Sequence, residues 1–146
     1  MKLSNHFTLE EMTRSQTARR HNIDNSPDEA ALYNLKRLAT ELEKVRELIQ
    51  KPIVITSGLR VLELNRKLNS KDTSSHVVGC AADFIIHGLQ PKEIVQIIKD
   101  SYIKPDQVID EWNEWVHFSV SKHSGDEPRE MYLSIDDSGT REFQLT

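Results

Sequence analysis

The sequence predicts an α+β fold, with N-terminal helices packed on a small, mostly antiparallel sheet. Two observations carry that expectation. A long apolar stripe at helical spacing runs through residues 27–50. Short β-branched runs between turn signals follow it, with one further amphipathic helix among them. Length sets the scale: 146 residues, 37% hydrophobic and 29% charged, make one domain over residues 1–146 that can bury a real core.

The elements follow in chain order. Phe7-Thr8-Leu9-Glu10-Glu11-Met12 is a helix start, with Thr8 as N-cap, Glu11 completing a capping box, and Phe7 and Met12 placed to staple the turn. The polar, mixed stretch 15–25 predicts that this helix is short. Ser26 as cap, Pro27 at the first helical position and acids behind it open a second helix over about residues 27–50. Its stripe is Leu32, Leu35, Ala39, Leu42, Val45 and Ile49, widened by Leu38. Pro52 ends it, and residues 53–56 read as a short buried strand. A turn at Ser57-Gly58-Leu59-Arg60 leads to a short helix over residues 61–68, and residues 69–80 form a loop rich in Ser, Thr, Asp and Gly. A second strand covers residues 81–86 and a third main helix residues 91–101. Residues 107–109 and 116–120 read as paired strands around a tight Asn113-Glu114 turn. Residues 122–130 are loop, and 131–135 and 141–145 add edge strands.

Charge and composition exclude several classes. A net charge of −4 and a pI near 5.9 argue against nucleic acid held on a basic surface. No run approaches the roughly 18 apolar residues of a membrane helix, so membrane insertion is not expected. Cys80 is the single cysteine, which excludes disulfide stapling, and its place beside Gly79 suits a small buried apolar residue. The first residues carry no apolar signal-peptide core. A monomer made in the cytoplasm is expected.

Three residues stand where their side chains need a reason. His76 lies in a Gly- and Ser-bearing loop, and Asp83 interrupts the apolar run Ala81-Ala82-Asp83-Phe84-Ile85, where an unpartnered charge would be costly. On the strand around His117, Val116, Phe118 and Val120 share one face, and Trp115, His117 and Ser119 share the other. Two imidazoles, one carboxylate and a fourth position for water make a recurring catalytic zinc set. A lone strand histidine is more often simply packed or solvated, and spacing alone leaves both readings open. His6, His21, His87 and His123 carry no such signal.

Ser74-Ser75-His76-Val77-Val78-Gly79-Cys80-Ala81-Ala82-Asp83 resembles the Ser-x-His-x-x-Gly-x-Ala-x-Asp signature of the zinc D-alanyl-D-alanine carboxypeptidase family, the peptidoglycan-cleaving metallopeptidases. Thr56-Ser57-Gly58-Leu59-Arg60 with Leu64-Asn65 resembles its Ser-Gly-Tyr-Arg…Leu-Asn segment, with Leu59 where an aromatic is usual. Trp115-Val116-His117-Phe118-Ser119 resembles its Trp-Val-His-Val-Ser strand. The resemblance runs from about Phe7 to Val120. It implies Zn2+ as cofactor, His76, Asp83 and His117 as ligands, and Arg60 beside the substrate carbonyl or its developing oxyanion. Gly79 permits the tight turn before Asp83. Ser74 would fix the loop or touch substrate, and Trp112 and Trp115 could wall the cleft.

A general base must also be found among Asp110, Glu111 and Glu114, which crowd one turn. Several branches of the family place the acid three residues before the last histidine, here Glu114. Others place it after an Asp-Gln-hydrophobic-hydrophobic run, here Glu111. A two-residue turn is expected to set Asp110 opposite His117, and a three-residue turn Glu111. Glu111 is the first choice and Glu114 the second. The resemblance thus implies a zinc peptidase hydrolysing an amide in peptidoglycan stem peptides, of the D-Ala-D-Ala carboxypeptidase or L,D-endopeptidase type. Such an enzyme would act on the cell wall after release or within a phage particle, as an endolysin does. Two rivals are a non-catalytic wall-binding or phage structural protein retaining the zinc site, and a cofactor-free interaction protein built on the long helix.

Overall fold

The computed structural model describes residues 1–145, and the fold is α+β. Helix α1 (Leu9–Thr13) starts as its sequence dictates: Glu11 N donates to Thr8 Oγ1 and Thr8 N donates to Glu11 Oε1. The polar stretch after it is not all loop. Ser15 caps a second short helix, α2 (Gln16–Arg20), by accepting from Ala18 N at 3.1 Å. The long helix α3 (Glu29–Ile49) takes Asp28 as its cap, not Ser26, so Pro27 lies before the cap. The short aspartate reaches Ala31 N at 2.8 Å from the residue where the backbone turns helical. Leu35, Leu38, Ala39, Leu42 and Val45 form its buried stripe, while Leu32 is only half-buried.

The strands β1 (Val54–Ser57), β2 (Ala81–Ile85), β3 (Gln107–Glu111), β4 (Trp115–Ser119), β5 (Met131–Asp136) and β6 (Gly139–Glu142) form one sheet in the order β1-β2-β4-β3-β5-β6. Helices α4 (Leu62–Lys67) and α5 (Pro91–Lys99) fall in the connections, and α5 packs on β3 and β4. Ala82, Phe84, Val108, Val116 and Phe118 point to one face and close a core with α3 and α5. Removing the valine and phenylalanine side chains among them from water stabilises the fold by about 1.5–3 kcal/mol each.

Three strand expectations are corrected. The run at residues 53–56 becomes an edge strand with alternating exposure, buried only at Ile53 just before it. Residues 131–135 are not an edge: β5 lies inside the sheet and runs parallel to β3. The reason is geometric. β4 ends where β3 begins, so a strand that starts at that end on the free side of β3 must share its direction. Arg129 ties that connection down through a forked contact with the buried Asp106, with Nη2 donating to Oδ2 at 2.7 Å. The last edge is β6, which stops at Glu142, short of the expected residue 145.

Candidate active site

The candidate site lies on the sheet face opposite the helices. Asp83 on β2 and His117 on β4 are direct cross-strand partners, so sheet register alone brings them together. Asp83 Oδ1 lies 3.1 Å from His117 Nδ1. A third side chain arrives from outside the sheet. His76 sits on a 3-10 turn (Ser75–Val78) within the expected loop, and its Nε2 lies 3.2 Å from the same Asp83 oxygen. All three residues are buried, and their ligand-type atoms lie within 4.8 Å of one another.

Local chemistry fixes how His76 arrives. Ser74 Oγ accepts from His76 N and starts the 3-10 turn, which makes it a loop-fixing residue. Gly79 ends the turn at φ +78°, and a Cβ there would sit 2.7 Å from the Ala31 carbonyl oxygen of α3. His76 Nδ1 donates to Gly58 O at 2.7 Å, and Arg60 N donates to His76 O at 3.0 Å. Gly58 itself must be glycine, since a Cβ would come 2.3 Å from Met12 O.

These contacts test whether a metal fits. A carbonyl can only accept, so Nδ1 of His76 carries a proton and Nε2 of the neutral ring turns its lone pair toward Asp83. Burial holds the His76 pKa below its ordinary value despite the pull of Asp83, which favours that neutral ring. Burial raises the Asp83 carboxyl, but the positive charge that the imidazoles carry when protonated, His76 first, together with the His117 hydrogen bond outweighs it and holds it well below the usual carboxylate range. A lone pair facing a carboxylate oxygen repels it unless a cation lies between them. A tetrahedral ion with bonds of about 2.0–2.1 Å sets its ligand atoms roughly 3.3 Å apart, close to the two separations seen here. The residues fit a zinc-type ion.

The structure separates the acids of the turn. The β3–β4 link spans three residues, 112–114, with Trp112 and Asn113 at positive φ. Its register sets Ile109 opposite His117 and Glu111 opposite Trp115, so the expectation that a three-residue turn puts Glu111 directly across from His117 is corrected. Each added turn residue moves the facing partner back along β3, not forward. Nor is the turn the tight pair Asn113-Glu114. Glu111 nevertheless shares the His117 face, one pair along, because strand residues alternate. It is half-buried, and Trp115 Nε1 donates to its Oε2 at 2.5 Å. Burial and the charge of Asp83 push its carboxyl pKa up, against the pull of His117, Trp115 and Arg60. Asp110 faces the other way and accepts from Asn113 N. Glu114 is exposed on the turn, and none of its atoms joins the cluster.

Arg60 reaches the same neighbourhood from the β1–α4 link. Burial lowers its pKa, while the charges of Asp83 and Glu111 support it. Its Nε is buried and has no hydrogen-bond partner among the described residues. Trp112 stays exposed and donates through Nε1 to Asp137 Oδ1, with its ring 6.0 Å from that of Trp115. Cys80 is fully buried with Sγ near Ser121 O, away from the three-residue cluster. Sequence reasoning missed the Gly58 carbonyl as the partner that orients His76. The Ser57-Gly58 step was visible, but nothing in its spacing says that a carbonyl 18 residues earlier meets that ring.

A sequence model of the family described as Peptidase M15 matches residues 5–119, a span that includes His76, Asp83, Glu111 and His117. Comparison with curated proteins finds no match.

Proposed function

This chain belongs to the peptidase M15 family, whose members are zinc-dependent peptidases of peptidoglycan-related substrates, and from that premise we propose that it hydrolyses an amide bond in peptidoglycan stem peptides. The observation that carries the reading is the pair of imidazoles aimed at one buried carboxylate oxygen, with a half-buried glutamate on the same face. His76, Asp83 and His117 would hold the ion. When bound, zinc supplies a Lewis acid that polarises the scissile carbonyl and makes water a competent nucleophile near neutral pH.

The chain's own residues supply the rest. Glu111 takes a proton from the attacking water at its carboxylate and hands it to the leaving amine nitrogen. Its raised pKa lets it hold that proton between the two transfers. The Trp115 indole fixes the orientation of the carboxylate and presents its ring to the peptide. Arg60, whose Nε has no partner among the described residues, offers a fixed cation to the oxygen that gains negative charge. No side chain becomes covalently attached to substrate.

The substrate is a stem peptide in the D-Ala-D-Ala carboxypeptidase or L,D-endopeptidase sense, met at the cell wall after release or within a phage particle. Incubation with purified peptidoglycan fragments, followed by mass identification of products, tests this. Loss of a terminal alanine marks a carboxypeptidase, and cleavage at an internal bond marks an endopeptidase. Intact fragments in the presence of about one equivalent of bound zinc would leave a wall-binding or structural protein instead. Less than about a tenth of an equivalent, with none taken up on titration, would remove the metal site.

A further inference from the structure

We propose that Asn25 is a positioning residue that sets Arg60 at the site; this deepens, and rests on, the role given to Arg60 above. Asn25 is 8% exposed and lies far from the ligands in sequence. Its Nδ2 donates to Leu59 O and to Thr13 O, each at 2.9 Å, and its Oδ1 accepts from Val61 N at 3.0 Å. Leu59 and Val61 flank Arg60, so one amide clasps the main chain on both sides of the arginine.

Residues 58–61 belong to neither a strand nor a helix. Their polar groups therefore need partners from elsewhere. Leu59 N donates to Met12 O at 2.7 Å, Arg60 N donates to His76 O, and Gly58 O accepts from His76 Nδ1. Asn25 supplies two further contacts, to Leu59 O and from Val61 N, and fastens them to the end of α1 through Thr13. Arg60 depends on this scaffold because its Nε is buried without a partner among the described residues, so its direction follows the backbone it leaves. Only an amide serves here: it donates to carbonyls on one side and accepts from an N–H on the other. An aspartate would turn lone pairs toward two carbonyl oxygens, and an alanine would leave the buried Leu59 O and the part-buried Thr13 O and Val61 N without this partner.

The test combines kinetics with a measurement that needs no turnover. Asn25→Ala and Asn25→Asp are made alone and in an Arg60→Ala background, and kcat and KM are measured on one stem-peptide substrate with zinc quantified in each preparation. Asn25→Ala alone should lower kcat on the order of 10- to 100-fold, with KM and zinc content little changed. In the Arg60→Ala background it should cost almost nothing more, because its effect passes through the arginine. Equal losses in both backgrounds would overturn the proposal. Asn25→Asp keeps the size and the acceptor for Val61 N, and stands in if the alanine variant does not fold. Separately, exchange of the Arg60 Nε–H is followed by nitrogen-15 NMR, its signal identified by its loss in Arg60→Lys. That proton should exchange about tenfold faster or more in the Asn25 variants. An unchanged rate would overturn the proposal. A wild-type protein without turnover would defeat the peptidase reading, and the exchange rates would still decide the placement of Arg60.

Discussion

On one face of β4, Val116 and Phe118 are fully buried against the helices; on the other, His117 and Ser119 are buried almost as deeply, at 9% and 0% exposure. Neighbouring β2 repeats the contrast, with Phe84 at 0% on the helix side and Asp83 at 8% on the other. Equal burial has opposite meaning on the two faces. Apolar groups gain by leaving water. A carboxylate and two imidazoles lose hydration and must regain it from one another, from the Gly58 carbonyl, or from an ion. The helix face therefore holds the fold together, whereas the opposite face spends stability on placing reactive groups. Substitutions on the two faces should fail by different measurements.

The largest expected effect lies on the polar face. Glu111→Gln should lower turnover about 10²–10⁴-fold, while zinc content and the unfolding midpoint stay near wild type. Glu114→Gln, on the exposed turn, should change turnover little. The reverse ranking in kcat would place the base on the turn and break the assignment of Glu111. On the apolar face, Phe118→Ala should cost about 3–5 kcal/mol in urea unfolding, with kcat and zinc content of the folded fraction retained. A variant that stays as stable as wild type but loses turnover would erase the contrast.

Zinc sharpens it further. If the cluster holds the ion only when folded, zinc at 100 times its dissociation constant should stabilise the protein by about 2.7 kcal/mol. Asp83→Asn should abolish that increment. Thermal melts of chelated and zinc-loaded protein, wild type and variant, measure both. Coincident melts for the wild type would deny any coupling between ion and fold.

The smallest effect comes from an ion pair outside both faces. Burial raises the Asp106 carboxyl, but the hydrogen bonds from Arg129 outweigh it and lower its pKa from the ordinary 3.8. A depressed folded pKa contributes stability that is present above 3.8 and lost as pH falls through the folded value. Arg129 is 57% exposed, so solvent screening holds the contribution to about 1 kcal/mol. The urea midpoints of wild type and Asp106→Asn should differ at pH 6 and converge only as pH falls below 3.8 and through the lowered folded value. A gap that persists at low pH would mean that Asp106 acts through shape and not through charge.

Residue pattern was enough for the α+β class, the capping box of α1, the stripe of α3, and the three residues His76, Asp83 and His117 that the fold gathers. These were legible because each depends on local periodicity or on a side chain at odds with its neighbours: one carboxylate in an apolar strand, one imidazole in the polar register of another. Asp28 as cap, the extra helix α2 and the interior, parallel course of β5 were not legible, since each depends on which backbone groups the rest of the chain leaves free. The same limit governed the site. Glu111 and Glu114 are chemically alike in sequence, and only the three-residue link between β3 and β4 turned one toward His117 and left the other in water. Likewise, no pattern announced that Gly58 would orient His76 or that Asn25 would clasp both neighbours of Arg60. Those hydrogen bonds join residues 18 to 36 positions apart through irregular chain, where no repeat exists for a sequence to display and only packing brings donor to acceptor.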